Sequence, residues 1–402
     1  MIREKSKERL VISEFFKPFL RILQIFSCYS PVPASSTAYK MYSVVEVTLL
    51  IFVPCFLKTV DVLQSFTELD EALATLLIYV TFFIYTLKSI SLITQKDDVR
   101  KLVRCLDLDI FQPRNTRQRN FIKGQILTSK GILTLFTAGG CFTCTLLDLQ
   151  PLLINRQERN GPINFWYPVV NTTKSPAYEI AYAYESIVSI THAFTHCVLD
   201  AINIICMAFI IGQLHSIEDT LINLRSYAEK EVNIKGEPNT TEKIHVQMNI
   251  LLIECVSKHR ALRRFANDLN KIYTNNFFLI LANCMLALAF LMYKMSKAAT
   301  LDFTFIFMIF YFGTMMTLVF MCNWYGNEII YKSGNLHTAA YSMDWPGTPI
   351  SFQKNLLFTI IHLQVPIKLY ALNFFLLCLE SYISVVKTSW SYFVMLTTVS
   401  NN

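Results

Sequence analysis

Seven apolar segments, each of bilayer length, constrain this chain more than any other feature. They fall at about 40–60, 72–94, 126–149, 179–212, 275–294, 302–323 and 369–399. A hydrocarbon core of about 30 Å needs about 20 apolar residues in a helix. Within that core every backbone N–H and C=O must be satisfied by the protein, which leaves helices or a closed barrel. No segment alternates like a membrane strand. The expected class is therefore all-α, an integral membrane seven-helix bundle. The fourth segment is longer than a bilayer needs and is expected to tilt or project beyond it. Only 16% of residues are charged, against about 25% in soluble domains. The N-terminal MIREKSKERL is charged, and the first apolar patch is broken by Lys17, Pro18 and Arg21. No cleavable leader is expected, and targeting falls to the first span.

Lys and Arg in the loops set the orientation. With the N-terminus cytosolic, the inside regions 1–39, 95–125, 213–274 and 324–368 carry 26 basic residues. The outside loops carry only Arg156, Arg159, Lys174 and Lys297. Two glycosylation sequons begin at Asn171 and Asn239. One span separates them, so at most one is lumenal, and this topology selects Asn171. The eleven cysteines are scattered, with none in the outside loops. Neither a disulfide framework nor a zinc site is expected.

The last segment is polar on one side. At about 100° per residue, Glu380, Ser384, Lys387, Ser391, Met395 and Thr398 fall within roughly 80° of one another. Hydrocarbon penalises ionisable side chains, so the stripe should face protein or water. A water-filled pore shared between subunits needs such a span. Glu380 starts it near the cytosolic side, where a snorkelling or subunit-contact role and an inner-pore role both remain open.

Two stretches below the membrane are patterned for helices. In 213–274, Leu214, Ile217, Leu221 and Leu224 recur at helical spacing, as do Ile244, Met248, Leu251, Leu252, Cys255, Leu262, Phe265, Leu269 and Ile272. Asn233–Glu242 reads as the loop between them. Before the last span, Phe352, Leu356, Leu357, Ile360, Ile361 and Leu363 line one side of a short helix that Pro366 ends. Such faces bury against the same subunit or form an anchor where subunits meet. The expected division is a cytosolic segment 1–39, six transmembrane helices over 40–323 with the 213–274 extension, an anchor segment 324–368, and a pore-lining seventh helix with a short extracellular tail over 369–402.

The run Cys322…Gly326…Ser333…Tyr341-x-x-x-Trp345, then Gln364-x-Pro366, then Val385-Val386-Lys387-x-Ser389-x-Ser391-Tyr392-Phe393-x-x-Leu396 resembles the insect odorant receptors. The C-terminal third carries the motifs; the rest agrees in architecture. The 213–274 loop lacks the longer insertion of the family's shared co-receptor, Orco, so the chain resembles a ligand-specific tuning subunit. The ending Ser391-Tyr392…Thr398-Val399 departs from the Thr-Tyr…Gln-Phe ending of gustatory receptors, the alternative chemoreceptor channel.

The resemblance implies an odorant-binding subunit of a heteromeric, ligand-gated, non-selective cation channel. Four subunits including Orco would surround a pore, in the plasma membrane of olfactory neuron dendrites. The family's gate falls here on Met395 and Val399, with Thr398 between them and Ser391 below. The implied pocket lies in the outer half of the membrane among the second, third, fourth and sixth helices. Its candidates are Tyr79, Phe82, Phe83 and Thr86; Ala138, Cys141, Phe142 and Thr145, with Gly139 and Gly140 leaving room; Tyr184, Ile187, Val188 and Thr191; and Phe305, Ile309 and Phe312.

Other readings fit less well. His192 and His196 stand at i, i+4 with Asp200 one turn on, a spacing open to a metal, but interhelical hydrogen bonding is the expected role and no metal or cofactor is expected. Arg260, Arg263 and Arg264 read as a solvated juxtamembrane face or an anionic-lipid contact. A G-protein-coupled receptor has the opposite topology, and its Asp-Arg-Tyr and Asn-Pro-x-x-Tyr motifs are missing. A transporter predicts internal repeats and broken mid-membrane helices. No Ser/His/Asp set, phosphate loop or metal quartet suggests an enzyme.

Overall fold

The computed structural model describes residues 9–27, 37–64, 69–154, 159–168, 172, 174–234, 240–298 and 302–401. Asn171 and Asn239 lie outside them. The described chain is a helical membrane bundle. Its helices are α1 (Ser13–Ile25), α2 (Thr37–Val47), α3 (Val53–Gln64), α4 (Leu69–Thr94), α5 (Lys96–Cys105), α6 (Thr116–Leu153), α7 (Ala177–Ile222), α8 (Leu224–Ile234), α9 (Thr241–Lys297), α10 (Phe303–Gly334), α11 (Leu336–Tyr341), α12 (Ile350–Leu363) and α13 (Leu379–Asn401). A π-helical turn, Thr48–Phe52, joins α2 to α3 in one bent span.

Six helices among the described residues are long and apolar enough to cross a membrane. They correspond to the first six expected segments. Helix α13 has 23 residues, about 34 Å at 1.5 Å per residue, so it too is long enough. Its polar stripe keeps its hydropathy lower.

Helix α7 is the axis of the bundle. Every residue from Thr195 to Leu214 is buried. Its 46 residues run about 69 Å, so it projects past the bilayer as its length suggested. It packs along α6, which opens on an Asn115 cap whose side chain accepts from Gln118 N at 2.8 Å. Deep between them, Gln118 Nε2 donates to Asp219 Oδ2 (3.0 Å) and Thr220 Oγ1 (2.8 Å). Helix α9 is unbroken over 57 residues. Met248, Leu251, Leu252, Cys255, Leu262, Phe265, Leu269 and Ile272 bury one of its faces, as their spacing predicts.

Helix α12 differs in detail. Phe352, Leu356, Thr359 and Leu363 are buried, one helical face at i, i+4, i+7 and i+11. Leu357 (57%), Phe358 (71%) and Ile361 (53%) stay exposed, so an apolar face of α12 is uncovered in the single chain.

The start of the last element also differs. Residues 369–378 are not helix: β1 (Tyr370–Ala371) and β2 (Phe375–Leu376) pair antiparallel. Leu372 and Asn373 turn between them at φ 48° and 61°, a left-handed conformation that stops any helix. The hairpin docks on α9, where Tyr370 N donates to Asn270 Oδ1 (2.6 Å) and Thr274 Oγ1 donates to Tyr370 O (3.1 Å). Apolar composition alone made this stretch look like the first turns of a span; its bonds to α9 hold it as a hairpin.

The family-like motif residues sit where this C-terminal part docks. A Cβ on Gly326 would collide with the Leu377 carbonyl. Ser333 Oγ accepts from Ile367 N (2.9 Å). Ser389 Oγ donates to Met285 O (3.0 Å), tying α13 to α9.

Candidate ligand cavity and its polar floor

A cavity of about 120 Å³ lies between α4, α6, α7 and α10. Its walls are mainly apolar, from Ile78, Phe82, Phe136, Phe307, Met315 and Leu318 among others. Gly140 lets α6 approach α7 here, since a Cβ would sit 3.1 Å from Cys197 Sγ. Polar groups are few, and several are tied to each other. Thr81 Oγ1 and the Tyr311 hydroxyl are 2.8 Å apart, and Thr143 and Thr314 hydroxyls 3.3 Å. A mostly apolar space with a few fixed polar groups suits a small organic ligand.

A second cavity of about 300 Å³ adjoins it, toward the end that carries loop 159–168. Ile78, Leu147, Phe307 and Tyr311 line both spaces and so form the partition between them. The loop is folded onto this end by two buried charges. Glu185 accepts from Ile163 N (2.9 Å), Asn164 N (3.0 Å), Phe165 N (3.2 Å) and the Tyr167 hydroxyl (3.3 Å). Lys58 donates to Asp61 (2.7 Å) and to Ile163 O (2.8 Å). Ile163 and Phe165 thereby pack on Phe82 and Val188.

The opposite end of the cavity is closed by His196, which sits over a buried ion pair. Lys88 Nζ reaches Asp200 Oδ1 at 2.9 Å and Oδ2 at 3.1 Å, and His196 Nε2 at 3.3 Å. Both charged side chains are 1% exposed. Charges buried this deeply persist only when paired. His196 and Asp200 thus have the interhelical hydrogen-bonding role expected of them, with α4 as partner. No group of three or more metal-ligating side chains occurs among the described residues.

His192 stands one turn above His196. Its Nε2 donates to the Leu50 carbonyl in the π-helical turn. Pro54 withholds the α-helical donor from that acceptor. Lacking an N–H, it cannot close the α-type bond to Leu50 O or the π-type bond to Leu49 O. Tyr184 takes the second carbonyl, its hydroxyl donating to Leu49 O at 2.7 Å. Two residues of α7 therefore satisfy the backbone that one proline leaves open.

Of the expected pocket residues, Phe82 lines the cavity. Tyr184 and Val188 lie beside it, Tyr184 on the bent span and Val188 with the loop residues. Tyr79 stacks on Phe83 at 5.8 Å, and Phe83 is exposed. Ala138 and Thr145 are exposed, Cys141 is half-buried, and Phe142 is exposed against Phe310 at 5.0 Å. Ile187 and Ile309 are exposed, and Thr191 and Phe305 are half-buried. Phe312 packs on the main core. The four helices are those expected, but each presents a different face, turned by about 100° on α4 and by roughly 140–200° on α6, α7 and α10. Thr81, Tyr85, Thr143, Cys144, His192 and Tyr311 line the cavity instead. One sequence signal was available: Lys88, Asp200 and the histidines are polar residues inside apolar spans.

On α13, Glu380, Ser384, Lys387, Ser391, Met395, Thr398 and Val399 are all exposed. The packed side is Tyr382, Val385, Ser389, Phe393 and Leu396. Helix α10 touches both the cavity, through Tyr311 and Met315, and α13, through an edge-to-face pair of Phe320 and Tyr382 at 5.5 Å.

Fold and cavity together define a multi-pass helical membrane protein with a mostly apolar cavity among four of its helices. The chain belongs to the 7tm Odorant receptor family, whose pattern matches residues 68–390. It is 24% identical over 267 residues to Odorant receptor 10 of Aedes albopictus, covering 65% of this chain and 66% of that one, just under two thirds. It is 22% identical over 307 residues to Odorant receptor 2a of Drosophila melanogaster, covering 75% of each. Its fold is similar to that of the insect olfactory receptor OR5 from Machilis hrabei, solved in complex with eugenol, at a TM-score of 0.79 and 20% identity over 96% of this chain and 98% of that one.

Proposed function

We propose that this chain is the odorant-binding subunit of a ligand-gated, non-selective cation channel. It would assemble as a heteromeric tetramer with the co-receptor Orco in the plasma membrane of olfactory neuron dendrites. Volatile ligand binds in the cavity between α4, α6, α7 and α10. The observation that carries this reading is α10, which lines the cavity and packs by Phe320 on Tyr382 of α13. A ligand that fits one arrangement of α10 better than another shifts the population of α13 positions. The unpacked polar face of α13 supports a pore lining, with Ser391, Met395, Thr398 and Val399 around the gate and Glu380, Ser384 and Lys387 at the inner pore or a subunit contact. The uncovered face of α12 supports an anchor made by several subunits, since a large apolar patch marks an interaction surface. Asn171 is the proposed glycosylation site.

The test is whole-cell current during exposure to a volatile panel, with the chain expressed alone and with the co-receptor. Evoked cation current only with both, altered by Met395→Ala or Val399→Ala, is expected. Current from the chain alone removes the partner requirement. Silence in both despite surface expression counts against a channel and returns the transporter reading.

A further inference from the structure

We propose that the second cavity, of about 300 Å³, is a first ligand site and the entry vestibule of the smaller one. A neutral volatile occupies it, then passes an apolar collar into the smaller cavity, with Tyr311 as the side chain that yields. The inference rests on the ligand-cavity reading above and goes further by assigning the route to that cavity.

The spaces lie in line. A third, of about 350 Å³, shares Asn160, Gly161 and Asn164 with the second. Ile154, Asn160 and Asn164 line the second cavity and are exposed, so its rim is at the surface. At its other end stand Ile78, Leu147, Phe307 and Tyr311, which also line the smaller cavity. Each of the four is half-buried and keeps surface to offer the spaces it divides.

Polarity changes tier by tier along this line. Thr75, Gln150 and Thr304 line the second cavity and not the smaller one. They stand three residues, about one turn, from Ile78 on α4, Leu147 on α6 and Phe307 on α10. Gln150 Nε2 donates to Thr304 Oγ1 at 3.2 Å across that tier. Thr81, Thr143 and Thr314, on the same three helices, line only the smaller cavity. The partition is therefore an apolar collar between two polar tiers. A charged molecule has to shed its water to cross such a collar, while a neutral, mostly apolar one gives up little.

One hydrogen bond holds Tyr311 across the way. Thr81 Oγ1 already donates to Leu77 O at 3.2 Å, so the Tyr311 hydroxyl donates to Thr81 at 2.8 Å. Swinging the ring breaks that bond and leaves Thr81 bonded to its own helix. Ile78, in the same collar, is β-branched and stiff at χ1.

The test is thiol labelling of the full chain purified in detergent, read peptide by peptide by mass spectrometry. Thr304→Cys puts a thiol in the second cavity and Thr314→Cys one in the smaller cavity. Gln150→Cys and the native Cys144 take their places if either variant fails to fold. Sulfonatoethyl methanethiosulfonate, an anion, should label position 304 and leave position 314 untouched. Benzyl methanethiosulfonate, neutral and the size of a volatile, should also label 304. The smaller methyl methanethiosulfonate should label both positions. In the double variant, capping 304 first with the benzyl reagent should all but stop methyl labelling at 314. Thr81→Val, which keeps the shape and removes the latch, should speed labelling at 314 by about fivefold, the worth of one hydrogen bond, and leave 304 unchanged. No labelling at 304, anion labelling at 314, or methyl labelling at 314 that ignores the cap overturns the vestibule. A rate at 314 that ignores Thr81→Val overturns the part given to Tyr311. No odorant response enters this test, so it can fail while the ligand-cavity reading stands. That reading falls separately if Tyr311→Ala and Met315→Ala leave the response to every active volatile unchanged.

Discussion

His192 on α7 donates to the carbonyl of Leu50, an acceptor that Pro54 leaves without its α-helical donor. This bond and its neighbour from Tyr184 to Leu49 fasten the bent first span to the axis of the bundle. In hydrocarbon no water stands ready to serve an open carbonyl, so the bend is stable only with these side chains in place.

Pro54→Ala returns an N–H to the turn. The helix can then close on its own carbonyls and compete with His192 and Tyr184. Ligand potency should fall by several-fold at unchanged surface expression, about 1 kcal/mol for one hydrogen bond displaced. Dose–response curves beside surface labelling check this, and an unchanged EC50 would show that the bend plays no part in shaping the cavity.

Lys88→Met should cost about 3–5 kcal/mol, because it leaves Asp200 buried and unpaired. Lys88→Met with Asp200→Leu removes both charges and should recover most of that loss. Thermal melting of the purified protein in detergent gives all three values. Equal losses for the single and double variants would mean that the 2.9 Å pair is not what ties α4 to α7.

Glu185→Gln weakens four hydrogen bonds that hold loop 159–168 over the second cavity. Hydrogen bonds to a charged acceptor are worth about 1.5–3 kcal/mol each, so the loop should open far more often. Amide exchange at residues 163–165 should quicken and ligand washout should speed up. Exchange rates that match the unaltered protein would sink this account of the loop.

His362 makes the packing of α12 on α9 sensitive to acid. Burial holds its imidazole below the ordinary histidine range, and the Arg263 and Arg260 guanidinium groups push the same way. Its ring meets His259 edge-on at 5.7 Å. The unfolded segment takes up a proton near about pH 6.5, while the docked segment resists it to lower pH. Docking is therefore at full strength above that value and weakens as pH falls through it. Protection factors over residues 356–363 should drop between about pH 7.5 and about pH 5.5; His362→Gln should reduce the change, the remainder belonging to His259, whose imidazole burial pushes down to about 4. A drop of the same size in that variant would assign it to another group.

Much of the architecture is legible in the chain itself. Runs of about 20 apolar residues can only be helices in a bilayer. The 3.6-residue period of α9 marks its buried face because that part of the helix has a polar side to contrast with. The stripe on α13 is legible for the same reason, and its six residues are all exposed. The motif from Cys322 to Leu396 is readable because it holds the residues that dock the C-terminal segment, such as Gly326 and Ser333.

The cavity was decided elsewhere. A helix that is apolar all round has no face that periodicity can single out, so the lining of α4, α6, α7 and α10 was set only when they packed. The same packing paired Lys88 with Asp200 across 112 positions, and joined His192 to Leu50 across 142. It also turned residues 370–376 into a hairpin by offering Asn270 and Thr274 as partners. Local apolar pattern determines which segments enter the membrane; long-range polar contacts, costly to leave open there, determine how those segments turn toward one another.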